Sequence, residues 1–316
     1  MAVPGSDPLR VMASSEKPQV ITQIRFSQSA SFLCYAESRN PVPFGRTNPE
    51  LRKQISDLGK GDPEKGLGLV FMNILITAGN TLVPIDRVRC ITNVFTGKTG
   101  ASIARCAWER GHTVTLLTSH PAAMDKPPRS ERWAMLRYRT FDDLQNLMSE
   151  LVVGGKLDAV IHCAAVSDYL AGGIYAPVEG TRFHLETGRW KSDSAAGSRM
   201  IDRTAGKVKS DEPELWLRLV RSPKLIDCVR RDWGFRGLLV KFKLEVGVSD
   251  EQLLAVAERS RLHSDADLMV ANTLEGASEW AFLGPLDGQY QRVPRRELAE
   301  RLLIAMEQHP RKHPNG

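Results

Sequence analysis

Hydrophobic positions from Met72 onward switch repeatedly between a period near two and a period near 3.6, which predicts alternating strands and helices. Asn73–Thr77 is a short charge-free run that predicts a buried strand, followed by a long loop to about Thr96. Gly97–Arg110 carries Ile103, Ala104 and Ala107 on one side and predicts a helix stopped by Gly111. His112–Thr118 reads as a β-branched strand and Met135–Tyr138 as a shorter one. Thr140 is placed to cap a helix over FDDLQNLMSELV, whose acidic first turn suits the helix dipole. Asp158–Cys163 is continuously apolar, the pattern of a strand buried on both faces. Ala164 to about Val208 reads as irregular. Glu214–Val220 then alternates, with Leu215, Leu217 and Leu219 on one face. Ser222–Trp233 is helical, Gly237–Leu244 a strand, and Asp250–Ser264 a helix begun by Ser249. Leu268–Asn272 is a buried strand, and Arg295–Gln308 a final amphipathic helix.

Strands alternating with helices of this length predict an α/β fold: a doubly wound, mostly parallel, Rossmann-like sheet with helices on both faces. Right-handed crossovers put the ligand site at the carboxyl ends of the strands. Residues 72–316 are expected to form one such domain. Residues 1–71 have a different texture, with Pro4, Pro8, Pro18, Pro41, Pro43 and the Ser-rich run Ser27–Ser31. No period persists there, so 1–71 is expected to be a disordered, low-order extension, or to precede a true start at Met72.

Composition narrows the classes. Among 316 residues there are 43 Lys+Arg against 37 Asp+Glu, a net charge of +6. That excess suits an anionic small substrate as well as a nucleic acid, and the basic residues form no long block, so nucleic acid is not expected. No run reaches the ~18 apolar residues of a membrane span, and the N-terminal segment has no apolar core of a secretory signal. The five cysteines are scattered with no C-x-x-C pair, which argues against a disulfide framework or a cysteine zinc site. A reducing, cytoplasmic setting is expected.

Candidate chemistry clusters after the strands. Thr96-Gly97-Lys98-Thr99-Gly100 sits at a predicted helix start, where free N–H groups and the dipole favour an anion. It is no Walker A loop, because Thr92 stands at the first glycine position and the strand lies some twenty residues back. Neither G-x-G-x-x-G nor G-x-S-x-G is present. In Ala164-Ala165-Val166-Ser167-Asp168, two small residues let a ligand approach the backbone. Asp168 is then an acceptor, a metal ligand or a turn organiser. Lys207 and Lys209 lie on one edge of an extended segment, either solvated or aimed at an anion. Cys163 directly follows His162, so on a strand the two point apart and make no nucleophile–base pair. The histidines show no metal-ligand spacing.

The motifs taken in order resemble phosphopantothenate–cysteine ligase (phosphopantothenoylcysteine synthetase). ILITAGNTLVPIDRVRCITNVFTGKTG is similar to that family's opening, IHCAAVSDY to its A-A-V-[AS]-D-[YW] segment, and GKVKS to its K-[IV]-K-[KS] segment. LWLRLVRSPKLID, KFKLE and ADLMVANTLE follow in family order over roughly 72–275.

The resemblance implies coenzyme A biosynthesis: ligation of 4′-phosphopantothenate to L-cysteine through an acyl-nucleotide. It implies CTP as co-substrate, with ATP as the other candidate, Mg²⁺ or Mn²⁺ as counter-ion, and a homodimer using the 206–220 region. Residue by residue, it makes Asn93 and Lys207 catalytic, Asn93 holding the acyl intermediate and Lys207 offsetting phosphate charge. Nucleotide contacts fall on Gly79, Thr96, Gly97, Ala164, Ala165, Asp168, Lys207, the turn Pro223, Lys224, Leu225 and Ile226, and Phe242. Arg259 or Arg261 is left to replace helix lysines that the sequence lacks; the metal ligands are not assigned. Three departures stand out: Asn80 replaces a glycine expected at positive φ, Phe95 replaces a serine, and Ser210 replaces a lysine. The preceding residues are too few for the flavin-dependent decarboxylase fused to many relatives, so a monofunctional form without flavin is expected. The competing readings are a nucleotide-binding relative without ligase activity and a Rossmann-type NAD(P) reductase.

Overall fold

The computed structural model describes residues 70–310, so the readings made for 1–69 and 311–316 lie outside the described residues. The chain begins with β1 (Asn73–Ala78) and a small hairpin of β2 (Leu82–Pro84) and β3 (Cys90–Thr92). It continues through α1 (Lys98–Glu109), β4 (Thr113–Thr118), β5 (Trp133–Arg137), α2 (Phe141–Gly154) and β6 (Ala159–His162). An inserted unit follows: β7 (Tyr169–Pro177), β8 (Thr181–His184), β9 (Arg189–Ser192), β10 (Met200–Asp202) and β11 (Trp216–Arg221). The α/β pattern then resumes with α3 (Leu225–Arg231), β12 (Leu238–Glu245), α4 (Asp250–His263) and β13 (Leu268–Thr273). It closes with a hairpin of β14 (Trp280–Leu286) and β15 (Gln289–Pro294), and then α5 (Leu298–Gln308).

The main sheet has eight strands in the order β15-β14-β13-β12-β6-β1-β4-β5. From β13 to β5 every neighbouring pair is parallel, and β14 and β15 add an antiparallel edge. Chain order therefore runs outward from β1 in one direction, then returns through α2 to β6 on its other side. That reversal opens a crevice at the carboxyl ends of β1 and β6.

Burial explains the layers. Ile74 and Ile76 pack with Ile103, Ala104 and Ala107 of α1 and with Leu302, Leu303 and Met306 of α5 on one face. Leu75, one residue out of phase, joins Leu144 and Met148 of α2 and Leu225 and Val229 of α3 on the other. On that second face Leu253 and Ala257 of α4 cover Met269 and Ala271. Each such aliphatic side chain contributes about 1.5–3 kcal/mol relative to exposure. Thr140 and Ser249 each form a capping box, with Asp143 and Gln252 reaching back to the cap backbone. The doubly wound α/β expectation holds.

The expectation of an irregular stretch from Ala164 to Val208 does not. Four of the strands, β7 to β10, lie there, with β7 between β10 and β11 in a separate antiparallel sheet and β8 paired to β9. Its strands are mostly exposed or half-buried, with Ile174 and Ala176 the buried pair on β7, and Gly172-Gly173 breaks the apolar alternation ahead of them. A hairpin as small as β8–β9 is marginal alone. Here Phe183 and Trp190 stack against Trp216 of β11, with ring centroids 4.8–5.1 Å apart. The β14–β15 hairpin was equally unread.

Candidate functional site

Gly79 turns the chain at the end of β1 with φ +96°, and a Cβ there would meet Ser119 Oγ. Its carbonyl accepts from Ala165 N at 2.8 Å, tying the loop after β1 to the loop after β6. Tyr138, buried, donates its hydroxyl to Ala78 O at 2.8 Å and holds the same corner. Asn93 Nδ2 donates to Ala165 O at 3.0 Å. Asn80 Nδ2 in turn donates to Asn93 O, and Ser119 Oγ bridges to Asn80 N (2.9 Å) and Oδ1 (3.2 Å). Gly79, Asn93, Ala164 and Ala165 are thus one cluster at the crevice between β1 and β6.

Helix α1 starts on the same rim. Gly97 occupies its N-cap at φ +77°, and a Cβ there would lie 2.5 Å from Gly79 N. Only glycine permits that approach with that backbone. The helix has no side-chain cap and no acidic residue in its first turn, unlike α2 and α4. Thr96 and Lys98 are exposed beside it. Arg295, half-buried after β15, donates Nη2 to Thr99 Oγ1 in that first turn.

The loop after β6 is strung together by hydroxyls. Ser167 N donates to Thr81 Oγ1 at 2.8 Å, and Ser222 Oγ donates to Ser167 O at 2.7 Å. Asp168 pairs with Lys224 across an exposed gap, and Ser222 N donates to Asp168 O at 2.9 Å. The turn before α3 is thereby fixed to the rim.

Beneath the rim lies His162. Thr77 Oγ1 accepts from Ala164 N at 3.1 Å and shares a second hydrogen bond, 3.0 Å long, with His162 Nδ1. Burial pushes this imidazole down to about 4, with Lys241 adding repulsion. Burial likewise pushes the neighbouring Cys163 thiol up to about 12. Neither is poised for nucleophile–base chemistry, and both stay neutral at pH 7.

A model of the DNA/pantothenate metabolism flavoprotein C-terminal domain matches residues 69–175. The coenzyme A biosynthesis bifunctional protein CoaBC of Thermococcus kodakarensis is 32% identical over 234 residues, covering 72% of this chain and 49% of its own. The crystal structure of the DNA/pantothenate metabolism flavoprotein from Streptococcus pneumoniae is 29% identical with a TM-score of 0.59. It covers 74% of this chain and 97% of its own. A Cab2 mutant in complex with phosphopantothenate-cysteine is 19% identical with a TM-score of 0.51, covering 74% of this chain and 85% of its own; that likeness is one of fold.

Residues 69–175 belong to the DNA/pantothenate metabolism flavoprotein C-terminal domain family, and the likeness to the relatives above extends over about three quarters of the chain. The resemblance to phosphopantothenate–cysteine ligase is borne out at the level of the family. The chain spans about half the length of the curated relatives it matches.

Within that family domain, not every expected residue reaches the cluster. Leu225 and Ile226 are 2% and 6% exposed and belong to the core, so only their backbone turn faces the rim. Pro223 and Lys224 are exposed there. Phe242 packs against the α1 side of the sheet near the end of β12. Arg259 is exposed in the second half of α4. Arg261 is bound to Glu258 at 2.6 Å and to Ala266 O at 2.8 Å, below the amino end of β13 and away from the rim. Asn80 does not need the left-handed backbone expected of it. The non-glycine residues at positive φ among those described are Lys126, Asp265 and Asp287. Its amide instead joins Asn93 to Ser119. Lys207 is exposed and sits beyond the tip of the β2–β3 hairpin rather than beside Asn93.

Ser119, Thr77, Ser222 and Arg295 were not read from the sequence. Position after a strand end was an available signal for Ser119. For Arg295, 196 residues from its partner Thr99, no local signal exists.

Proposed function

We propose that this chain ligates 4′-phosphopantothenate to L-cysteine at the expense of a nucleoside triphosphate, CTP first and ATP as the alternative. What carries the reading is the convergence of Gly79, Asn93 and Ala165 with the uncapped start of α1 at one crevice, in a member of this family. The substrate carboxylate attacks the α-phosphorus, forming an acyl-nucleotide and releasing pyrophosphate. The cysteine amine then attacks the acyl carbon, loses a proton, and expels the nucleoside monophosphate.

Each step concentrates negative charge. The first-turn N–H groups of α1 receive phosphate, with Thr96 and Gly97 at the contact. Lys207 offsets charge developing on the phosphate, and the Asn93 amide holds the acyl group. Ala164 and Ala165 let the nucleotide lie against the backbone, while Asp168, Lys224 and Phe242 border it. Among the described residues no group of three or more His, Cys, Asp or Glu could hold a metal ion. Magnesium or manganese therefore fits as the counter-ion of the triphosphate, which needs few protein ligands. It would supply charge neutralisation of the phosphates. No flavin enters this scheme.

Exposed Met200, Ile201, Leu215 and Leu219, all 36–45% exposed in or beside the small sheet, support pairing of two copies there. No helix among the described residues is long and apolar enough to cross a membrane. We place the reaction in the cytoplasm, where the triphosphate is supplied.

The test is pyrophosphate release by the purified full chain with Mg²⁺, 4′-phosphopantothenate and CTP or ATP, with and without cysteine. Cysteine-dependent amide formation is the expected result and names the nucleotide. A folded protein that binds nucleotide but releases no pyrophosphate would overturn it. That outcome would favour a non-catalytic relative, a reading supported by exposed Phe95 and by the distance of Arg261 from the rim.

A further inference from the structure

The I-D-x-V-R part of the opening motif has no role in the scheme above, yet it makes the densest polar knot near the crevice. The Asp86 side chain is fully covered. Its Oδ1 accepts from Val88 N at 2.8 Å and Arg89 N at 2.7 Å. Its Oδ2 accepts from Arg89 Nε at 3.1 Å, Arg89 Nη2 at 2.6 Å and Val208 N at 3.1 Å. Arg89 Nη2 also donates to Val208 O at 3.0 Å, and Arg87 N donates to Gly206 O at 2.9 Å. The hairpin tip therefore holds the main chain on both sides of Lys207, and Val208 is 5% exposed. Lys207 itself projects into solvent.

Burial alone would raise the Asp86 carboxyl, but the Arg89 guanidinium and the Val88, Val208 and Arg89 N–H groups hold it down to about 2. The Asp86 carboxylate is thus ionised near neutral pH. The same hairpin ends, after β3, in Asn93. Register pairs Leu82 with Thr92 at the base and Pro84 with Cys90 at the tip. One short rigid ribbon, about 7 Å long between those pairs at ~3.4 Å per residue, spaces Asn93 from the Lys207 loop.

We propose that Asp86 and Arg89 are positioning residues that latch the Lys207 loop to the hairpin carrying Asn93, so that the two side chains engage one intermediate. The proposal deepens the ligase reading and rests on it for the role of Lys207. A loop otherwise free to wander would deliver its lysine only a fraction of the time, and the loss would appear in kcat rather than in nucleotide affinity.

The experiment uses the full chain and its Asp86→Asn, Arg89→Met, Lys207→Gln and Asp86→Asn/Lys207→Gln variants. Turnover is measured with CTP or ATP, and amide hydrogen exchange at Val208 is followed alongside a core reporter such as Ile76. The expected result is slowed exchange at Val208 in the wild type and its loss in Asp86→Asn with Ile76 unchanged. With it should come a fall in kcat of about tenfold or more at nearly constant nucleotide KM. Because Asp86 acts through Lys207, the double variant should be no slower than Lys207→Gln alone. Arg89→Met, which leaves the Asp86 turn bonds and the Val208 N bond in place but removes the bond to Val208 O, guards against misfolding of Asp86→Asn and should show the same changes in smaller measure.

Unprotected Val208 in the wild type, unchanged kcat in a variant that has released Val208, or additive losses in the double variant would overturn the latch. Absence of turnover in the wild type would instead overturn the ligase reading, and exchange at Val208 would then decide the latch by itself.

Discussion

The Asn93 side chain donates its amide hydrogen to the carbonyl oxygen of Ala165, 3.0 Å away and 72 residues further along the chain. That group adds to the Gly79–Ala165 backbone bond in joining two loops across the sheet reversal, and it acts as a donor. An aspartate has none at neutral pH and would face a carbonyl oxygen with a charge. Asn93→Asp should therefore cost about 1–3 kcal/mol locally and slow amide formation more than pyrophosphate release. Single-turnover assays that resolve the two products check this; equal slowing of both would contradict it.

Lys207 is solvent-facing and makes no ion pair among the described residues. Lys207→Gln should leave thermal stability within about 0.5 kcal/mol of the wild type, as for other surface substitutions, while turnover falls steeply. Denaturant melts beside steady-state kinetics separate the two. A stability loss as large as the activity loss would point to a structural lysine.

Gly97 combines φ +77° with a Cβ position 2.5 Å from Gly79 N. Gly97→Ala pays for the left-handed backbone and pushes α1 off the end of β1. The expected loss is about 2–4 kcal/mol, with weakened nucleotide binding. Urea denaturation and nucleotide titration of the variant measure both.

His162 gives the protein an acid-sensitive element. Its folded value of about 4 lies below the ordinary 6.5. As pH falls below 6.5, the unfolded chain takes up this proton and the folded chain does not. Stability is complete above about 6.5 and is lost progressively down to about 4, by a total near 3 kcal/mol. His162→Asn, whose amide can still hydrogen-bond Thr77 but takes up no proton in this range, should flatten that limb. Denaturation curves from pH 4.5 to 7.5 test it, and an unchanged slope would remove His162 as the cause.

Lys224 and Asp168 are each more than half exposed, so their ion pair adds little to stability. Lys224→Met should melt within about 0.5 kcal/mol of the wild type yet raise the nucleotide KM, because the turn before α3 loses one of its ties to the rim. An unaffected KM would remove this pair from the site.

The parallel α/β layering and most of the rim are legible in the chain alone. Apolar period is a local property, and β1, α1, β4, α2, β6, α4 and β13 each bury a stripe that two or three turns of chain reveal. The ordered motifs likewise singled out Asn93, Ala165, Gly97 and Asp168. Which polar groups meet is set by the folded arrangement of the loops. The bonds Asp86–Val208 and Arg295–Thr99 span 122 and 196 residues, and no local pattern encodes them. The small sheet of β7, β10 and β11 is not legible locally because its buried alternation is confined to Ile174 and Ala176 of β7, while β10 and β11 are exposed or half-buried. Leu225 and Ile226 were read as contacts because their motif was, while their burial depends on α3 lying flat against the sheet. Hydrophobic pattern chooses the layers, and the crossing of loops above them chooses the partners of each polar side chain.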